Sequence, residues 1–73
     1  MSPPSSPALR LFAQNFKLAR KRAGLSQKDV HERCKVAASY ISAVERAKRN
    51  VTIECAERLA GAVNVPLRTL LTR

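Results

Sequence analysis

Tryptophan is absent from this 73-residue chain, and aromatic residues of any kind make up 4% of it. A core must therefore be built from Leu, Val, Ile and Ala around two Phe rings, in a chain long enough for one domain and too short for a second. Only two glycines occur, which excludes a glycine-rich loop of the kind that cradles phosphates. A single histidine, His31, and two cysteines, Cys34 and Cys55, offer neither paired metal-ligand spacing nor a disulfide framework. The thiols read instead as small apolar groups set within helical patterns. The five acidic residues do not cluster, and no Cys-His arrangement has an orienting partner. These grounds offer little to an enzyme, the chief competing class, so none is expected, and neither a metal nor an organic cofactor is expected. No stretch approaches the roughly 18 apolar residues of a membrane-spanning helix, and the basic-then-apolar layout of a signal peptide is missing. The expectation is a soluble, cytoplasmic protein without a membrane partner.

What the chain has in excess is positive charge. Lys and Arg total 14 against five Asp and Glu, a formal charge of +9. Such a balance favours a polyanionic partner, with nucleic acid first among the candidates.

The pattern along the chain is helical throughout. Residues 1–7 are rich in Pro and Ser with nothing to bury, and are expected to form a disordered arm ahead of a domain spanning 8–73. Pro7 can open a first helix, because its missing N–H has no partner there in any case. Phe12, Phe16, Ala19 and Ala23 follow at i, i+4, i+7 and i+11 as an apolar stripe, and Gly24 suits a left-handed stop. A second helix opens at Ser26, with Asp29 three residues on completing an approximate capping box. Lys35, Val36 and Ala37 leave room only for a sharp bend before a third helix, Ala38 to Arg46. Val30 and Cys34 on one helix and Ile41 and Val44 on the next form a shared apolar seam. Thr52 can cap a fourth helix whose inner face is Ile53, Ala56, Leu59, Ala60 and Val63. Asn64 tolerates the left-handed conformation at its end. Pro66 permits a short fifth helix with Leu67, Leu70 and Leu71 on its apolar side. The fold class is all-α, a compact five-helix domain containing a helix-turn-helix.

If Ile41 and Val44 point inward, the other side of the third helix presents Ser39, Ser42, Ala43 and Arg46. Small side chains let a helix settle against base edges in a major groove about 12 Å wide. Serine hydroxyls can bond several bases, an alanine methyl can meet the thymine methyl, and Arg46 can pair with guanine or with a phosphate. Gln27 and Lys28 stand in the first turn of the second helix, where free N–H groups favour an anion. Lys48, Arg49 and Asn50 follow the third helix and would overhang the flanking backbone.

Residues 11–71 resemble the lambda-repressor-like, Xre-type helix-turn-helix family of bacterial and phage transcription regulators. The resemblance is carried by Leu25-Ser26-Gln27, by Val36 to Glu45-Arg46, and by Leu59-Ala60-Gly61-Ala62-Val63-Asn64-Val65-Pro66-Leu67. It implies a third helix lying in the major groove, with Gln27 at a phosphate. It also implies base-facing positions for Ala38, Ser39, Ser42 and Ala43, and a backbone contact for Tyr40. Arg20 and Glu45 match a pair that in this family commonly forms a structural ion bridge. Two residues depart from the pattern: Lys35 stands where the turn usually has Gly, and His31 replaces a small residue where the two helices touch. A packed, hydrogen-bonded histidine is the expectation there.

The function expected is sequence-specific recognition of double-stranded DNA by a transcriptional regulator, a repressor or autoregulator. One module touches few base pairs, so a homodimer is the economical route to specificity. Leu67, Leu70 and Leu71 are candidates for its contact, the alternative being that they close the core. An antitoxin with a protein partner, or a restriction-modification controller protein, would have a similar sequence.

Overall fold

The structure is a computed structural model that describes residues 6–73. Of the expected N-terminal arm, residues 1–5 lie outside the described residues. Ser6 and Pro7 are part of the folded domain instead: Pro7 is the first helical residue, and the Ser6 hydroxyl accepts the Leu9 backbone N–H at 3.1 Å. Five helices follow, α1 Pro7–Arg22, α2 Gln27–Cys34, α3 Ala38–Glu45, α4 Ile53–Ala62 and α5 Leu67–Leu70. None among the described residues is long and apolar enough to cross a membrane.

Their packing follows from the apolar periodicity. On α1 the buried residues are Leu9, Phe12, Ala13, Phe16 and Arg20, a stripe at i, i+3, i+4, i+7 and i+11. The two Phe rings stack with centroids 6.1 Å apart. Ala19 is half-buried, and Ala23, expected on the same stripe, is exposed because the helix ends at Arg22 and the chain turns away. Val30, Ile41 and Val44 are fully buried beside Phe16 and Leu59, each contributing about 1.5–3 kcal/mol of transfer free energy. Cys34 and Cys55 pack half-buried against this core as free thiols.

One expectation about the core needs correction, and one alternative left open for the C-terminal leucines is decided for Leu70. Ile53 is 76% exposed: it is the first residue of α4, and the buried face of that helix is carried by Ala56, Leu59 and Ala60 further along. Leu70 is 1% exposed and closes the core where α5 packs on α1 and α4. Of the three leucines considered for a dimer contact, only half-buried Leu67 and exposed Leu71 remain open to a partner.

The helix ends explain the short links. α1, α3 and α4 each terminate in a Schellman motif, with paired bonds Leu25 N–H to Arg20 O and Gly24 N–H to Lys21 O, Lys48 to Ala43 and Ala47 to Val44, and Val65 to Ala60 and Asn64 to Gly61. The left-handed residue is Gly24 in the first, Asn64 in the third, and alanine, Ala47 at φ 57°, in the second. Lys35, ending α2, is also left-handed at φ 64°. A side chain with a Cβ costs about 1–2 kcal/mol in this region relative to glycine, so α3 is bounded by a strained residue on either side.

Lys35→Gly and Ala47→Gly should therefore each stabilise the fold, by about 0.5–1 kcal/mol after glycine's greater unfolded-state entropy is set against the relieved strain. In thermal melts this is a rise of a few degrees, given roughly 4–8 °C per kcal/mol for a domain of this size. A lowered midpoint for either variant would contradict the assignment of strain.

Candidate nucleic-acid interface

α2 is positioned by its N-terminus. The Ser26 hydroxyl accepts the Asp29 N–H at 3.0 Å, and the Asp29 carboxylate accepts the Ser26 N–H at 2.9 Å, a complete capping box. Accepting that backbone N–H holds the Asp29 carboxyl below its usual range, with the Ser26 hydroxyl adding to the effect. At the other end of α2 the His31 ring lies 2.8 Å from the Val36 carbonyl through Nδ1. A carbonyl can only accept, so Nδ1 carries the proton. The bulky ring is accommodated by bonding the turn itself.

α3 is then oriented by a polar cluster at its C-terminal end. The Arg20 guanidinium donates to Glu45 through Nε at 2.6 Å and Nη2 at 3.0 Å, a bidentate pair, and through Nη1 to the Leu25 carbonyl at 2.9 Å. The side chains are 11% and 3% exposed. Gln27 adds a third donor to the same carboxylate, Nε2 to Oε1 at 3.1 Å. One carboxylate thus joins α1, α2 and α3, and its charge is neutralised where it would otherwise repel a polyanion. The structural role expected of Arg20 and Glu45 is the geometry observed. Gln27, read in the sequence as a phosphate ligand, commits one amide hydrogen to this cluster.

With Ile41 and Val44 buried, the outer side of α3 carries Ser39 and Arg46, both exposed, and Ala38, Ser42 and Ala43, half-buried. Its N-cap, Ala37, supplies no side-chain acceptor, so first-turn N–H groups are left for solvent or a ligand. Lys28, Lys48, Arg49 and Asn50 are exposed around this helix. The hydroxyl of Tyr40, for which a DNA-backbone contact was expected, donates to the Asn50 carbonyl at 2.6 Å, and the Arg49 guanidinium lies 5.0 Å over its ring. Partial burial raises the pKa of the phenol, and the neighbouring Cys55 thiol is raised for the same reason. Both stay protonated at neutral pH, and Tyr40 serves to brace the loop. The left-handed Ala47 that turns the chain into that loop carries no sequence signal, because alanine is not a residue associated with positive φ.

A bundle whose second and third helices meet at a tight turn, with a small polar face and basic flanks displayed outward, defines a helix-turn-helix protein. The profile of the helix-turn-helix family matches residues 16–70, and the chain belongs to that family. It is similar to a hypothetical transcription factor of Neisseria meningitidis serogroup B, 35% identical over 61 residues that make up 84% of this chain and 58% of the relative. The chain thus spans little more than half of that protein's length. Among solved structures it resembles the restriction-modification controller protein C.AhdI from Aeromonas hydrophila, with a TM-score of 0.80 and 34% identity over 85% of this chain and 94% of that one. It also resembles SinR, a master regulator of biofilm formation solved in complex with DNA, with a TM-score of 0.78 and 34% identity over 84% of this chain and 98% of that one.

Arg20→Ala leaves the Glu45 carboxylate buried without its cation and should cost about 3–5 kcal/mol, whereas Arg20→Met with Glu45→Leu, which removes both charges, should recover much of the loss. Urea unfolding of the two proteins measures this. Unchanged stability in Arg20→Ala would remove the pair from its structural role.

Proposed function

We propose that the chain is a non-enzymatic, cytoplasmic regulator of transcription that binds double-stranded DNA as a homodimer, with α3 in the major groove. The observation that carries this reading is the outer face of α3. It is small and polar, ends in an exposed guanidinium, is backed by a buried seam, and is framed by basic residues in a chain of net charge +9. In this reading Ala38, Ser39, Ser42, Ala43 and Arg46 face base edges. Gln27, Lys28, Lys48, Arg49 and Asn50 meet phosphates, with Tyr40 holding the last two in place. Alanines on the reading face discriminate bases weakly, so DNA shape carries part of the preference. The DNA complex of SinR supports the assignment of the ligand. Similarity to C.AhdI favours, within it, a controller of a restriction-modification operon, and the neighbouring reading frames decide that point.

The homodimer rests on a separate feature. Exposed Ile53 and Leu71 border one apolar groove with Leu9, Phe12 and Leu67, a surface that a second copy can cover isologously.

Selection from a random duplex pool at two salt concentrations should yield a two-fold symmetric motif, its half-sites about 10–10.5 base pairs apart. Lys48→Ala should reduce the slope of log affinity against log salt by about two per dimer, one for each subunit's phosphate contact, while leaving the motif intact, whereas Arg46→Ala should relax the motif at one position of each half-site. Binding without an enriched motif would leave only a non-specific nucleic-acid binder. In sedimentation velocity, Ile53→Asp and Leu71→Asp should give folded monomers, and Leu70→Asp an unfolded chain. A dimer that survives both exposed substitutions would place the interface elsewhere.

A further inference from the structure

DNA recognition as proposed uses four of the 14 basic residues, Lys28, Arg46, Lys48 and Arg49. Every acidic residue lies between Asp29 and Glu57. Consequently α1, with Arg10, Lys17, Arg20, Lys21 and Arg22, and the segment after Glu57, with Arg58, Arg68 and Arg73, carry basic side chains alone. These two segments meet where α1 packs on α5, along an open groove bordered by Arg22, Arg68 and Arg73. No residue of α2, of α3 or of the loop after α3 lines it. Among the described residues, no hydrogen bond or ion pair engages these three guanidinium groups. The floor is apolar, made of Ala19, Val63 and Leu70, and Leu18 stands on its edge 47% exposed. The far wall is held in place by the Asn15 amide, which donates to the carbonyls of Leu70 at 3.0 Å and Thr72 at 2.9 Å.

We infer that this groove is a docking site for an acidic, amphipathic peptide segment of a partner protein. Charge complementarity selects an anionic occupant, and guanidinium groups suit carboxylates because they bind them in pairs of parallel hydrogen bonds. The apolar floor separates a peptide from a nucleic acid. A phosphate backbone offers nothing to Leu18 or Ala19, whereas a short helix with Leu or Phe one turn apart and Asp or Glu beside them covers the floor and meets the arginines together. The groove is preformed by the Asn15 bonds, so little ordering opposes binding. The site lies apart from the face proposed for DNA, and the two ligands can be held at once.

The test is selection from a displayed library of random peptides about 12 residues long, roughly three helical turns, on the full chain with excess duplex DNA present. Enriched peptides should carry carboxylates around Leu, Ile or Phe. A synthetic peptide of the winning sequence should lose at least about tenfold in affinity with Arg22→Ala plus Arg68→Ala, the loss expected for charged hydrogen bonds, and also with Leu18→Ala. It should bind Arg46→Ala as it binds the parent. Thermal melts establish that each variant is folded. Absence of enrichment, displacement of the peptides by DNA, or equal losses in Arg46→Ala would overturn the inference. DNA affinity of the parent, measured separately, tests the regulator reading on its own.

Discussion

The carboxylate of Glu45 is the point at which three helices are tied. It accepts two hydrogen bonds from Arg20 on α1 and one from Gln27 on α2, while Arg20 also holds the carbonyl of Leu25 in the turn between them. A buried ion pair of this kind adds little net stability compared with apolar residues of the same shape. What it adds is direction. The apolar seam of Val30, Ile41 and Val44 brings α2 and α3 together, but hydrophobic contact is nondirectional. The bidentate pair adds a directional tie at the C-terminal end of α3 to the face that the buried Ile41 and Val44 already turn inward.

Around that anchor the chain uses strain sparingly and locally. Lys35 and Ala47 occupy left-handed backbone at the C-terminal ends of α2 and α3, where Gly24 and Asn64 occupy the equivalent places beside α1 and α4 at lower conformational cost. Both strained residues are retained by paired backbone bonds or by the seam they help to close. His31 belongs to the same economy: a ring too large for a close helix contact is accommodated because it donates to the Val36 carbonyl of the turn.

Much of this was legible along the chain. Ser26 with Asp29, Thr52, Gly24, Asn64 and Pro66 mark helix ends through chemistry confined to a few neighbouring residues, and each marks the end found in the structure. The Arg20–Glu45 bridge was legible only through family resemblance, because 25 residues separate the partners and no local rule joins them. Ile53 and Leu70 show the limit of periodicity. Both occupy apolar positions, yet one is exposed and the other buried, since Ile53 begins α4 ahead of its packed face whereas Leu70 stands where α5 packs on α1 and α4. Ala47 gave no signal, as its conformation is imposed by the Schellman bonds to Ala43 and Val44. Tyr40 could not be seen to brace Asn50, because the loop's path is set by that same turn.

By itself, then, the order of residues determined the class of fold, the number of helices, their caps and the cationic character of the surface. All of these follow from short-range periodicity, capping chemistry and composition. Only the tertiary structure decided that Gln27 shares its amide with Glu45, and that Ile53 and Leu71 lie open while Leu70 is enclosed. It alone brought the basic side chains of α1 and α5 to one groove. These depend on distances between residues far apart in the chain, which packing sets and local sequence does not encode.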